Sequence, residues 1–546
     1  MGFSKSSRIR AKARARAIGA VAKPTADGST LMVPYRSRTA TRAGDPMEPV
    51  FAKHHASRGS ADRDWLRDRL TAVPRIRRLV MDEPLAASAV EQKLALMFGG
   101  QYRFASSPDA SAFGLEPGDK AIRNLSRSIE AALAKANNDP EFRVDWEQEL
   151  PPDLIIELAQ RHHEVDGEAV VMFNALSEEE AWPFQTALQV IDPDRLANPL
   201  GAINTDTLRD GVQFDERGRV DAYHILNGHP YDVGLAQLKA MTGEWFPRWD
   251  PDVPGRPRVV HLFKKRRAGQ SRGISQFVSV LSRLQSLSDF NEAELRSRVL
   301  NALIFASISS NMDGEYISEM FSNAGDSEQL LATRNRFYEE SDIRVGGHNV
   351  IRTFPGDEVQ INQAQRDTNA YADTIWAIAS QSGAGLDLAA ELLSRDYTRT
   401  TFLSGRMSQI DARRTIARSK RITNYKLRNP LNYCLIMEAF YAGELDLPRG
   451  APDFFENPAA YTAGKHLDGR HEYVDPVKEA MGDRLRLENG TIAPSDLAAE
   501  HGQDFQELVG RIARDQKFLE ENGVSLGDVA DMARAARDIA ADDPKT

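Results

Sequence analysis

Apolar positions recur along this chain with two different periods, and the points where the period changes divide it. Ser60 suits a helix N-cap, with Asp62 and Asp64 in the first turn, and Trp65, Leu66, Leu70 and Val73 then supply a helical face. A second helical pattern, interrupted at Pro84, runs to Met97 and stops at Gly99-Gly100. Ile122, Leu125, Ile129 and Leu133 mark a third helix over 119–136. From about 167 the runs shorten: 168–173, 186–191 and 220–226 read as strands. Asp192-Pro193-Asp194, Asn198-Pro199 and Arg217-Gly218 separate them as turns. This mixed region ends at Phe263.

Beyond Gly273 the helical period returns. Ile274, Phe277, Leu281, Leu284, Leu295, Val299 and Leu303 fall on or near one stripe. Some 30 residues would span about 45 Å, a length that suits a helix packing against copies of itself. Residues 306–360 are less regular, with a strand-like run over 349–354. A helix is expected from about Ile361 to Ala379, after which Gly383-Ala384-Gly385 opens a short loop-helix segment ending at Arg395-Asp396-Tyr397. A further helical stretch covers 398–443 and breaks near Asn429-Pro430, and the residues from Asp475 are helical, alternately acidic and apolar. The class is α+β, without an internal repeat.

Composition narrows the function more than the fold. The 546 residues suffice for three or four compact units, and a formal net charge of −10 argues against a protein whose main task is gripping nucleic acid. It leaves room for nucleic acid that passes by without sticking. No apolar run approaches a membrane span, Val299–Ile308 being too short, so no membrane partner is expected, and the N-terminus lacks a signal-peptide pattern. The single cysteine, Cys434, sits in the apolar run 431–440 and reads as core packing in a reducing compartment. Before Asp27 stand Lys5, Arg8, Arg10, Lys12, Arg14, Arg16 and Lys23 with no acid, so 1–59 reads as a basic, solvated arm. Contact with nucleic acid or an acidic surface is its functional alternative.

The chemistry concentrates in 258–277. A strand-like run, Val259 to Phe263, meets Lys264, Lys265, Arg266 and Arg267, then the turn Gly269-Gln270-Ser271-Arg272-Gly273. Gly269-x-Ser271-x-Gly273 fits the nucleophile elbow of a serine hydrolase, but the four cations separate strand from turn, and no later histidine has an evident acid partner. Gly269, Gln270, Arg272 and Gly273 are therefore expected to form a sharp turn, the glycines supplying positive φ where needed. Lys264 to Arg267 stay open between a solvated loop, DNA phosphates and an acidic neighbouring subunit. His162-His163-Glu164 with Glu168 lacks metal-site spacing, and no nucleotide-binding glycine loop is present, so no metal, cofactor or catalytic residue is expected.

Several separated segments carry a resemblance. They are Arg78-Leu79-Val80 with Pro84, Asp166-Gly167-Glu168, the run from Leu188 through Asp192-Pro193-Asp194-Arg195-Leu196, and Gly211 to Asp215 with Gly218-Arg219-Val220. They continue with the Gly-Gln-x-Arg-Gly turn, Ser394-Arg395-Asp396-Tyr397 with Ser404-x-Arg406, and Val474-Asp475-Pro476 with His501-Gly502-x-Asp504. Taken in order over 75–525, they resemble lambda-type phage portal proteins.

The resemblance implies a portal fold. A wing, helical then β-rich, would cover 60–265. A stem helix would follow at 266–305, a small mixed clip at 306–360, and a second stem helix at 361–383. A tunnel loop is expected at 384–397, a long wing helix and connection at 398–474, and a helical crown at 475–546. It implies a self-assembled ring, a dodecamer, at the capsid vertex of a virion assembled in the host cytoplasm. The major capsid protein, the terminase large subunit and a head-tail adaptor are the implied partners. Double-stranded DNA would be packaged and ejected through the ring, past Leu386, Asp387, Glu391, Arg395, Asp396 and Arg399. The competing classes are a serine hydrolase and a basic-arm nucleic-acid-binding protein.

Overall fold

The computed structural model describes residues 20–24, 30–34, 58–100, 102–176, 182–232, 242–303, 307–310, 332, 336, 343–345, 348–350, 357–360, 368–467 and 475–522. The chain forms two compact units, Met1–Arg67 with Arg267–Gln270, and Asp68–Arg266 with Ser271–Thr546. In the first, β1 (Ala20–Pro24) pairs antiparallel with β2 (Thr30–Pro34). Such a hairpin was not expected in a basic arm, although Asp27-Gly28 is a hairpin turn signal. The arm's cations before Lys23 lie outside the described residues. Within this unit Ser60 accepts from the Arg63 amide at 3.2 Å as the N-cap, and Asp64 pairs with Arg267 at 2.6 Å.

The second unit is mixed helix and strand. Its helices begin with α1 (Ala61–Asp82), whose first turns belong to the small unit, and α2 (Pro84–Phe98), where Pro84 starts the helix because a first-turn residue needs no amide partner. After β3 (Arg103–Ser106) come α3 (Lys120–Asn137), capped by Asp119, and α4 (Pro152–Val165). Next is β4 (Glu168–Ala175), whose residues before Ala175 are all buried, the mark of a strand covered on both faces. It is the centre of a three-stranded antiparallel sheet, between β5 (Thr186–Ile191) and β10 (Val259–Phe263). A second antiparallel sheet runs β6 (Leu208–Arg209), β7 (Val212–Phe214), β8 (Val220–Leu226), β9 (Gly243–Pro247).

Helix α5 (Leu281–Leu303) follows a 3₁₀ turn. Phe277, Val280, Leu284 and Leu287 are buried, whereas Leu295 is 63% exposed, so only the first half of the expected stripe finds cover within this chain. The side chains of Val299 and Leu303 lie outside the described residues. Of 306–360, β11 (Ser307–Ser310) pairs with β14 (Asp357–Gln360), and β12 (Ile343–Val345) with β13 (His348–Val350).

Three expectations change here. Helix α6 (Thr368–Leu386) continues through Gly383 and Gly385, which the sequence reading placed in a loop. Those glycines serve close packing: a Cβ on Gly383 would lie 2.6 Å from the Leu388 carbonyl oxygen, and one on Gly385 would lie 2.4 Å from the Val280 side chain. After α7 (Ala390–Ser394) and α8 (Phe402–Thr423), the helix does not break at Asn429-Pro430 but passes through a π turn, Asn424–Arg428, into α9 (Asn429–Tyr441). Pro430 sits where the widened turn leaves its missing amide harmless. Finally, Trp65 and Val73 of the expected helical face are buried, but Leu70 is 58% exposed and Arg69 beside it is buried instead.

A short α10 (Pro458–Thr462) and β15 (Gly464–Leu467), paired with β3, precede α11 (Pro476–Glu488), α12 (Pro494–Glu500) and α13 (Phe505–Glu521). Three apolar clusters hold the unit. The largest joins α3, α4, α9 and one face of the β4 sheet. A second joins α1, α2 and α5 to Leu386, Leu388 and Leu393. A third lies between the two sheets. Leu393→Ala should therefore cost about 2–5 kcal/mol, read in urea denaturation, and deleting 386–393 should prevent folding rather than merely trim a loop.

Candidate functional site: the buried arginine of the strand-to-helix turn

The turn after β10 places one charged group where water cannot reach it. Arg272 has no exposed side-chain surface, and neither has Glu168, its partner at the start of β4. The guanidinium uses its whole donor fork. Nη2 donates to Glu168 Oε1 at 2.6 Å and to the Pro193 carbonyl at 2.8 Å. Nη1 donates to the Leu196 carbonyl and the Asp210 carbonyl, both at 2.7 Å, and Nε to Glu168 Oε1 at 2.9 Å. Glu168 also accepts from the Gly273 amide at 2.7 Å and from His261 Nε2 at 2.9 Å, and pairs with Arg69 at 3.0 Å.

Burial by itself would raise the Glu168 pKa; Arg272, Arg69 and His261 overcome it and hold the carboxyl well below the usual carboxylate range. Burial holds the His261 imidazole below the ordinary histidine range. A ring of further charges continues outward. Arg77 donates to Asp166 and Asp194 at 2.7 Å and to Asp192 at 3.1 Å, and His162 meets Asp166 at 2.7 Å. Asp192, Asp194 and His229 are close enough to suit a cation, but Arg77 already donates to both carboxylates. Beside this network Lys93 pairs with buried Glu164 at 2.8 Å, and Gln160 links Glu164 to Thr423 on α8.

The two glycines of the turn do different work. Gly269 has φ +77 and open space within 4 Å of where a Cβ would stand, so it supplies the left-handed conformation. Gly273 does not need positive φ, contrary to one expectation. A Cβ there would lie 2.1 Å from the Gly167 carbonyl oxygen, and one on Gly167 would lie 2.3 Å from the Ser275 amide nitrogen. The two backbones touch because neither carries a side chain. Gln270 is buried, and its side chain accepts from the Arg267 amide at 3.3 Å. Ser271 is buried as well, where an elbow would have to present its hydroxyl to substrate.

The other expected site residues are placed as follows. Lys265, Arg266 and Arg267 are exposed and Lys264 is half-buried; Lys264 is held below the usual lysine range by burial and by Arg418 and Arg266. Leu386 is core. Asp387 accepts from Gln276 at 2.6 Å, Glu391 from Ser408, and Asp396 from the Thr398 amide at 3.0 Å. Arg395 is exposed, with φ +54 at the end of α7, and Arg399 pairs with Asp373 at 2.8 Å. Sequence reasoning missed Arg69, Arg77 and Asp210, which lie far from the turn in sequence, and gave no role to His261 in the strand just before it. The signal within reach was Arg69 on a helix otherwise read by its leucines.

A family model described as "Phage portal protein, lambda family" matches residues 49–420. The chain belongs to the lambda family of phage portal proteins. The portal protein of Escherichia phage N15 is 25% identical over 84% of this chain and 85% of its own length. Portal protein B of Escherichia phage lambda is 24% identical over 80% of this chain and 81% of its own. Among solved structures, a chain of the virion of a native gene transfer agent particle is similar at a TM-score of 0.37 and 12% identity, over 80% of this chain and 94% of that one. As a phage portal protein it is a structural component of the virion and not an enzyme, and the hydrolase reading falls.

Arg272→Met should destabilise the protein by about 3–5 kcal/mol, because it strands a buried carboxylate. Adding Glu168→Met to it should recover part of that loss, as read in a double-mutant cycle by urea denaturation. Since the folded Glu168 pKa is depressed, its contribution is complete above the unfolded value of about 4.3 and is lost as pH falls below it. The stability gap between wild type and Glu168→Gln should accordingly narrow on acidification below about pH 4. Gly273→Ala should cost on the order of 3 kcal/mol through backbone collision and Gly269→Ala about 1 kcal/mol through strain, with Ser271→Ala nearly silent in the same assay.

Proposed function

We propose that copies of this portal protein close into a ring of about twelve at the capsid vertex. Double-stranded DNA is packaged and ejected through it. The observation that carries assembly is the C-terminal pair of helices. Neither α11 nor α13 buries a single residue, yet Val477, Met481 and Leu485 line one face of α11 at i, i+4 and i+8, and Val509 and Ile512 lie on α13. Helices of 13 and 17 residues are marginal on their own, so these faces call for a neighbour. Rotational symmetry covers such a face in every copy and leaves none over.

On this reading 60–265 is the wing, 266–305 and 361–383 the stem, 306–360 the clip, 398–474 the long wing helix with its connection, and 475–546 the crown. The network around Arg272 sets the angle between wing and stem. The tunnel segment 384–397 reaches the bore through Arg395 and Asp396, with Arg399 just beyond it, Asp387 and Glu391 nearer the body and Leu386 tied into the core. The major capsid protein, the terminase large subunit and a head-tail adaptor are the partners this function requires, and assembly takes place in the host cytoplasm before the ring enters the virion.

Met481→Asp with Leu485→Asp should leave the protomer folded, because both side chains are exposed, while lowering the ring population in native mass spectrometry. A wild-type protein that remains monomeric at micromolar concentration, with no rings in electron micrographs, would overturn the assembly reading.

A further inference from the structure

Helix α8 is basic in an acidic protein: Arg406, Arg413, Arg414, Arg418, Lys420 and Arg421 face a single acid, Asp411. Burial of Ala412, Ile416, Thr423 and Leu427 fixes which side turns inward. The opposite side carries Arg414, Arg418, Arg421 and Tyr425 at i, i+4, i+7 and i+11, all exposed. This stripe extends about 16 Å at 1.5 Å per residue. Lys264 and Arg266 meet its C-terminal end in a recess they share with Glu164, Ser419, Ile422 and Thr423. Lys426, in the π turn, is held below the ordinary lysine range by burial and then by Arg248 and Lys265.

Among the described residues, no carboxylate stands within ion-pair distance of Arg414, Arg418, Arg421, Lys264, Lys265 or Lys426. Two neighbouring cations differ in this respect: Arg399 pairs with Asp373, and Arg428 lies against Asp153 and the Tyr102 ring. Glu164 and Asp387 offset part of the charge at Lys264 and Arg266, but the Arg414, Arg418 and Arg421 face gathers like charges with no carboxylate partner among the described residues, which raises the energy of the lone protomer and favours a polyanion. Two candidates meet that need, DNA and an acidic face of a second copy. A permanent subunit contact has an apolar centre. The first turns of α8 offer one in Phe402, Leu403 and Met407, but the Arg414–Arg421 face does not. Arginine forks beside an exposed tyrosine match a phosphate backbone, which carries one charge per about 1.7 Å of duplex.

We propose that the Arg414–Arg418–Arg421 face of α8, extended by Lys264, Lys265 and Lys426, is a contact surface for the phosphates of duplex DNA, separate from the tunnel segment. The choice of DNA rests on the portal reading, while the surface itself rests on charge and exposure. Binding of a fluorescent 30-base-pair duplex to the purified full chain, measured by anisotropy across salt concentrations, tests it. Alanine at Arg414, Arg418 and Arg421 together should reduce the slope of log affinity against log salt by about 2.7, since each phosphate contact contributes about 0.9. Lys264→Ala with Lys265→Ala should reduce it by about 1.8 at an unchanged circular dichroism spectrum, which keeps the test open should the triple variant misfold.

An unchanged slope in both variants would overturn the proposal. So would unchanged DNA binding with a lower ring mass in native mass spectrometry, which would assign the face to a second copy. Ring mass is read separately from DNA affinity, so a protein that forms rings with the wild-type slope in every variant sinks this surface and leaves the portal reading standing.

Discussion

A carboxylate with no access to water has to be surrounded by donors, and Glu168 is that carboxylate here. Its donors come from a helix (Arg69), a strand (His261) and the turn itself (Arg272 and the Gly273 amide). None of these can shift alone without leaving a charge bare, so α1, β4, β10 and the start of the second helical region hold one geometry. The contact between the Gly167 and Gly273 backbones lets the strand end and the turn approach closely enough for the Gly273 amide to donate to the Glu168 carboxylate. Ion pairs of this kind are weak sources of net stability, since desolvation offsets most of the Coulomb gain, but they penalise any other arrangement severely. That suits a junction whose angle matters more than its strength.

Around this polar centre the apolar clusters divide the work. One closes the helices over the β4 sheet, another ties α2 and α5 to the segment after α6, and a third sits between the sheets. Lys93 and Glu164 bridge α2 to α4, and through Gln160 to α8. The segment proposed as the tunnel is thus rooted in a core by leucines, with Arg395 exposed beyond them.

Outside these clusters the protomer is unfinished. The far half of α5 and the faces of α11 and α13 expose side chains that an independent domain would cover, whereas the outer side of α8 exposes charge. Apolar faces favour permanent partners; charged faces favour a partner that comes and goes, because salt screens them and each contact is individually small. A conduit for DNA needs both kinds of surface, kept apart. Overall negative charge with cations confined to a few places prevents the duplex from being held too tightly to move.

The sequence alone determined most of the elements and the family, because these rest on local signals: the helical pattern interrupted at Pro84, the apolar spacing over 119–136, the strand-like run into Phe263, and the ordered motifs from Arg78 to Asp504. It also picked out the turn, Gly269 to Gly273, whose glycines stand close to one another in the chain. Only tertiary structure decided what those residues do. Arg69 reads as a surface residue and Leu70 as core until Glu168, about a hundred residues away, draws the arginine inward. Gly383 and Gly385 read as a loop because glycine signals freedom locally, while a neighbour's approach, here Leu388 and Val280, leaves no mark at the glycine itself. Which side of α8 faces out depended on packing at Ala412 and Ile416, and the meeting of that side with Lys264 joined cations about 150 residues apart. Burial and charge pairing are properties of positions brought together by folding, and spacing along the chain does not record them.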